Sequence, residues 1–176
     1  MKLGYLGPNT NSENAAQKYA AKIAGLKIQS YPSMDYVFKA LKLAEVDRII
    51  VPVRNSITGD IAYKKIAGGS DFIKIDEISV LVGHYLATRN GEIRFIASHP
   101  EVLKQCASYL NKKYACLSRI EVESTNEAAK LASIVSGMAA IANLETCLAW
   151  DLKIIEKDIV KDNYSTFWVL ESKRYF

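Results

Sequence analysis

The sequence predicts an α/β protein with mostly parallel strands. Apolar runs of strand length alternate with amphipathic runs of helix length along all 176 residues. The connections between them are short, and no segment has the composition of a disordered linker. A faint internal echo adds a third observation. A strand, a polar turn and "SENAAQKYAAKIAG" resemble a strand, a polar turn and "HPEVLKQCASYLNKK", as two similar lobes would.

The first strand is expected at 2–6, "KLGYL", and the first helix at 12–24. A strand at 26–31 and a helix at 34–44 follow, then a strand at 47–53. The long apolar stretch 72–88 reads as strand broken near Gly83, with further strands at 93–97 and 119–123. Helices are expected at 99–112, 126–136 and 144–150. Strands at 138–142, 152–156 and 166–171 complete the pattern.

Three helix starts share a device. "SHPE" (98–101) sets Ser98 as N-cap and Glu101 at the third helical position, the spacing of a capping box. "STNE" (124–127) repeats it with Ser124 and Glu127, and "TNSE" (10–13) with Thr10 and Glu13. Each start follows a strand. Caps stabilise helices anywhere, by about 1 kcal/mol each. Three together at strand ends also describe a crevice for a ligand. Free N–H groups and helix dipoles there favour an anion, so a small carboxylate or phosphate compound is expected.

Composition removes several alternatives. Hydrophobic residues make up 49% and charged residues 24%, a globular balance. No apolar run approaches the roughly 18 residues of a membrane span. "MK" leads directly into a strand without a signal-peptide core, so the cytoplasm is the expected compartment. The net charge of +4 is mild, and no basic stripe interleaved with aromatics points to nucleic acid. The three cysteines form no C-x-x-C and lack histidines at zinc spacing, so no metal site is expected. Cys106 and Cys147 fall on apolar helix faces and read as core.

The motifs resemble the catalytic domain of the prephenate dehydratase family. "GYLGPNTNSENAA" (4–16) is similar to G-P-x-G-T-[FY]-S-x-x-A-A, and "VPVRNSITGDI" (51–61) to V-P-x-E-N-S-x-x-G. "SHPEVLKQC" (98–106) nearly repeats S-H-P-Q-x-L-x-Q-C. "STNEAAKLA" (124–132) and "AAIANLETCLAWDLKII" (139–155) follow in order, and "NYSTF" (163–167) stands where the family has N-x-T-R-F. The resemblance implies two α/β lobes with a central cleft, like type II periplasmic binding proteins. It sets lobe 1 at about 1–80 plus 160–176 and lobe 2 at about 81–159, with no ACT domain. It also implies a homodimer without a cofactor. The implied reaction converts prephenate to phenylpyruvate, water and carbon dioxide in phenylalanine biosynthesis.

Carried over residue by residue, the resemblance makes Ser165 the catalytic hydroxyl. Thr10, Ser12, Asn55, Ser56, Ser98, Gln105, Thr125, Thr166 and Phe167 become substrate-binding positions. Four departures stand out. Ser165 replaces Thr and loses the β-branch that stiffens χ1. Thr166 replaces Arg, removing a planar guanidinium that could clamp a carboxylate, a change worth about 2–5 kcal/mol to a bound ligand. Arg54 replaces Glu, and the first loop is one residue shorter. The expectation is that Arg54 supplies the substrate clamp that Thr166 gave up. Two other readings use the same cleft. One is a prephenate decarboxylase, which keeps the hydroxyl; the other is a non-catalytic binder of small carboxylates.

Overall fold

The structure, a computed structural model, describes residues 1–173; residues 174–176, within the expected first lobe, lie outside the described residues. The chain divides into two compact units, Met1–Leu81 with Tyr164 onward, and Val82–Asn163. In chain order, the first unit begins with β1 (Lys2–Leu6), α1 (Asn11–Ala20), β2 (Lys27–Tyr31), α2 (Met34–Lys42) and β3 (Arg48–Asn55). It continues through β4 (Gly59–Asp60), α3 (Tyr63–Ala67) and β5 (Phe72–Leu81). The second unit holds β6 (Tyr85–Thr88), β7 (Phe95–Ser98), α4 (Pro100–Gln105), α5 (Ala107–Lys113) and β8 (Ser118–Glu121). It ends with α6 (Thr125–Ile134), β9 (Met138–Ala142), α7 (Leu144–Ala149) and β10 (Lys153–Glu156), before β11 (Tyr164–Ser172) returns to the first.

The first sheet has the order β2-β1-β3-β11-β5, with β4 beside β3. Only β1, β2 and β3 pair in parallel there; β11 runs antiparallel to both β3 and β5. The second sheet has the order β10-β6-β9-β7-β8, parallel around β7 and antiparallel around β6. The expectation of mostly parallel strands is therefore corrected to two mixed sheets. Helix–strand alternation fixes direction only across local crossovers. Strand β11 arrives after the whole second unit, so no local crossover governs it.

Strand β3 carries the continuous apolar run Ile49-Ile50-Val51 because it is covered on both faces. On one face Ile50 packs with Ala15, Ala16 and Tyr19 of α1, and with Phe167 and Val169 of β11. On the other, Ile49, Val51 and Val53 meet Val37, Phe38 and Leu41 of α2. In the second unit every residue of β9, "MAAIA", is buried. Ala140 and Ala142 face Ala128, Ala129 and Ala132 of α6, a small-residue contact that lets helix and sheet approach closely. Ile141 turns to the other side, against Leu103, Cys106 and Leu110.

Cys106 and Cys147 are buried as expected, and burial pushes their thiols up to about 12 and about 11. Neither is a thiolate at neutral pH. The helix expected at 99–112 is two, broken at Cys106, whose ψ of 2° leaves the helical range. The short β4 and α3 were not expected. Among the described residues no helix is long and apolar enough to cross a membrane.

Candidate functional site

The decisive local feature is a bulge in β3. Phe167 pairs with Pro52 while Thr166 pairs with Arg54, so Val53 is an extra residue on that strand. Proline has no N–H for the ladder, and a central strand tolerates it beside such an irregularity. Beyond the bulge the alternation of β3 is reset. Asn55 joins Ser165 on the α1 face, while Arg54 joins Thr166, Ser56, Tyr164 and Trp168 on the α2 face.

Asn55 is fully buried and doubly tied. Its Oδ1 accepts from the backbone N–H of Ile57 at 2.9 Å and of Thr58 at 3.2 Å, closing the turn after β3. That bonding aims Nδ2 at Ser165, where it donates to Oγ at 3.2 Å. Ser165 is 7% exposed. Its oxygen accepts from Asn55, so its own proton is available to donate elsewhere. Ser56 braces the neighbouring strand: its Oγ accepts from Tyr164 N–H at 2.9 Å, and its N–H donates to Tyr164 C=O at 2.8 Å.

At the start of α1, Thr10 is the N-cap expected from sequence, its Oγ1 accepting from Glu13 N–H at 3.2 Å and donating to Leu6 C=O. Glu13 Oε2 accepts from Asn9 N–H at 2.6 Å, one residue before the N-cap. Ser12 is buried in the first turn.

Arg54 does not share a surface with Ser165. Its side chain is exposed, and among the described residues it has no ion pair. It lines a groove of about 460 Å³ with Ser56, Lys64, Tyr164, Thr166 and Trp168. In this register Arg54 pairs with Thr166 and lines that groove, whereas Ser165 pairs with Asn55 and is not part of the groove's lining. A larger depression of about 810 Å³ lies at the other end of the same strands, beside Met1, Asp47 and Glu171, and holds none of the candidate side chains.

In the second unit Ser98 is not a helix cap. It ends β7, fully buried, and its Oγ donates to Ile141 C=O at 2.7 Å. The cap is His99, whose Nδ1 accepts from Glu101 N–H at 3.2 Å. Pro100 explains the shift. Proline suits the first helical position and forces the preceding residue into extended backbone, here His99 at φ −62° and ψ 141°. The Ser124 cap is as expected, accepting from Glu127 N–H at 3.0 Å and placing Thr125 first in α6.

Gln105 closes α4 and is buried, not solvated. Its Oε1 accepts from Asn163 Nδ2 at 3.0 Å and lies 2.6 Å from His84 Nε2. His84 and Asn163 are 3% and 0% exposed. Neither was picked out as a site residue from sequence; the clue available was Asn163 in the polar run before β11.

Burial pushes the His84 pKa below its usual 6.5, against the raising effect of the Gln105 bond. The unfolded ring takes up a proton as pH falls through about 6.5 and the folded ring does not. Stability from this group is complete above that pH and is lost toward the folded-state pKa, by at most about 1.4 kcal/mol per pH unit. Urea unfolding across pH 7.5 to 4.5 is expected to show this slope, and His84→Leu is expected to flatten it. Parallel curves for the two proteins would exclude His84 as the source.

A family model described as "Prephenate dehydratase" matches residues 3–175. The prephenate dehydratase of Lactococcus lactis subsp. lactis (strain IL1403) is 28% identical over 185 residues, a match covering 99% of this chain and 64% of that protein. The chain thus spans less than two thirds of that relative. The crystal structure of prephenate dehydratase in complex with L-Phe from Arthrobacter aurescens superposes with a TM-score of 0.79 at 22% identity, covering 100% of this chain and 62% of the other. A nutrient binding protein from Burkholderia cenocepacia bound to methionine gives a TM-score of 0.59 at 13% identity, covering 97% and 84%, and shares the fold alone.

Proposed function

The chain belongs to the prephenate dehydratase family, and we propose that it converts prephenate to phenylpyruvate, water and carbon dioxide as a cofactor-free lyase. The observation that carries this reading is the Asn55–Ser165 bond. In the reaction the ring carboxylate leaves as carbon dioxide, and its bonding electrons enter the ring. They displace the hydroxyl, which departs as water after gaining a proton. A buried hydroxyl whose oxygen is held by an amide presents its proton to that departing oxygen. Gln105 and Thr125, which the family resemblance gives as substrate-binding positions, carry neutral donors of the kind that suits carboxylates, and no nucleophile is required.

The motif departures support the same reading. Positions 54 and 166 face each other across β3 and β11. The family's Glu and Arg at these positions would be cross-strand neighbours of opposite charge. Here both change together, to Arg54 and Thr166, on the face away from Ser165. The missing Arg therefore leaves the hydroxyl and its amide partner in place.

A double-mutant cycle tests this pairing. Arg54→Glu combined with Thr166→Arg is expected to be more stable than the sum of the single changes by about 0.2–1 kcal/mol. Turnover is expected to stay within about threefold. A hundredfold gain on restoring Arg at 166 alone would make that position a substrate clamp.

The assay for the function is direct: pure protein, prephenate, and measurement of phenylpyruvate and carbon dioxide. Both products are expected. Carbon dioxide with a non-aromatic product would identify a decarboxylase, and neither product, with thermal stabilisation by prephenate, a binder. We further propose a cytoplasmic homodimer, as the family resemblance implies, to be checked by sedimentation.

A further inference from the structure

We infer that His84 and Asn163 are positioning residues that fix which end of the Gln105 amide faces the substrate, an inference that rests on the dehydratase reading. A glutamine amide is close to symmetric in shape, and its terminal torsion is soft. Left alone, it could present either its carbonyl oxygen or its N–H groups. Presented to a carboxylate, the oxygen repels and the nitrogen donates.

The structure removes the choice. Asn163 Nδ2 donates to Gln105 Oε1 at 3.0 Å, so that atom is the acceptor. The same oxygen lies 2.6 Å from His84 Nε2, which must then carry a proton and donate. Both lone pairs of the carbonyl are used. Among the described residues no hydrogen bond engages Gln105 Nε2, and that atom is not among the sealed polar atoms without partners. Its two N–H groups are the free end.

The two donors are themselves held. Ile159 N–H donates to His84 C=O at 3.0 Å, and Val82 N–H donates to Asn163 C=O at 2.7 Å. Between Val82 and His84 stands Gly83, where a Cβ would come within 2.9 Å of the Tyr85 ring and 3.2 Å of Asp158 Oδ1. A side chain there would push the segment that carries His84. Burial keeps the imidazole neutral, which is compatible with a single proton on Nε2.

The inference makes His84 and Gln105 one energetic unit. His84→Leu and the near-isosteric Asn163→Asp are each expected to lower kcat/KM for prephenate about 10- to 100-fold, the size of a lost bond to a charged group. In a Gln105→Ala background His84→Leu is expected to cost less than about twofold, because the amide it orients is gone. His84→Gln, which retains a side-chain N–H, is expected to recover part of the loss. Equal losses in both backgrounds would overturn the inference. An activity-free arm stands beside it: ¹⁵N shifts of the His84 ring at pH 7 are expected to report the neutral Nε2–H form. An Nδ1–H form or an imidazolium overturns the inference whether or not the protein turns over prephenate. Absent turnover by the unmodified protein would instead defeat the dehydratase reading alone.

Discussion

Ser165→Ala is expected to lower kcat for prephenate dehydration by about 10²–10⁴-fold, the range associated with a lost proton-donating group. The fold is expected to survive it. Ser165 sits near the start of β11, which keeps its pairing to both β3 and β5 through the backbone. Removing Oγ deprives Asn55 Nδ2 of one acceptor while its Oδ1 stays bound in the turn. The stability cost should be about 1–3 kcal/mol, that of a buried donor losing its partner. Ser165→Thr keeps the hydroxyl and adds the β-branch that restricts χ1. It is expected to match or exceed the unmodified protein. Steady-state assays of phenylpyruvate formation with parallel urea melts separate the effects. Alanine activity within threefold of the parent would remove Ser165 from the chemistry.

What the sequence reveals about such a site depends on how local each interaction is. The caps at Thr10 and Ser124 span three residues, so residue type and spacing suffice to find them. Ser98 has the same spacing, yet Pro100 moved the cap to His99 and freed Ser98 to bond Ile141, 43 positions away. Asn55 and Ser165 are 110 positions apart. Motif resemblance could name both residues but not their bond. The bulge at Val53 decides which side chains share a face, and its one trace in the chain is Pro52 within a strand. Strand direction failed for the same reason, since β11 belongs to no local crossover. The His84–Gln105–Asn163 cluster joins segments 21 and 58 positions apart. No periodicity encodes such a contact.

Phe167→Ala is expected to destabilise the protein by about 3–5 kcal/mol, a large part of the 5–15 kcal/mol typical of a folded domain. Phe167 is 1% exposed and packs among Leu3, Tyr5, Ile50, Ile78 and Val169. Close-packed neighbours from four strands and α1 cannot collapse into the space of a ring, so a cavity remains. The position also lies two residues from Ser165 on the same face, and its Pro52 partner adjoins the bulge. A cavity there loosens the segment that aims the hydroxyl. Phe167→Leu separates packing from ligand contact, because it leaves most of the volume and is expected to cost much less stability than alanine. If the ring only packs, the leucine variant keeps kcat/KM within a few-fold. If the ring touches prephenate, leucine raises KM markedly while the urea midpoint stays close to the parent's. The burial of the ring predicts the first outcome, and urea midpoints measured beside KM for both variants decide it.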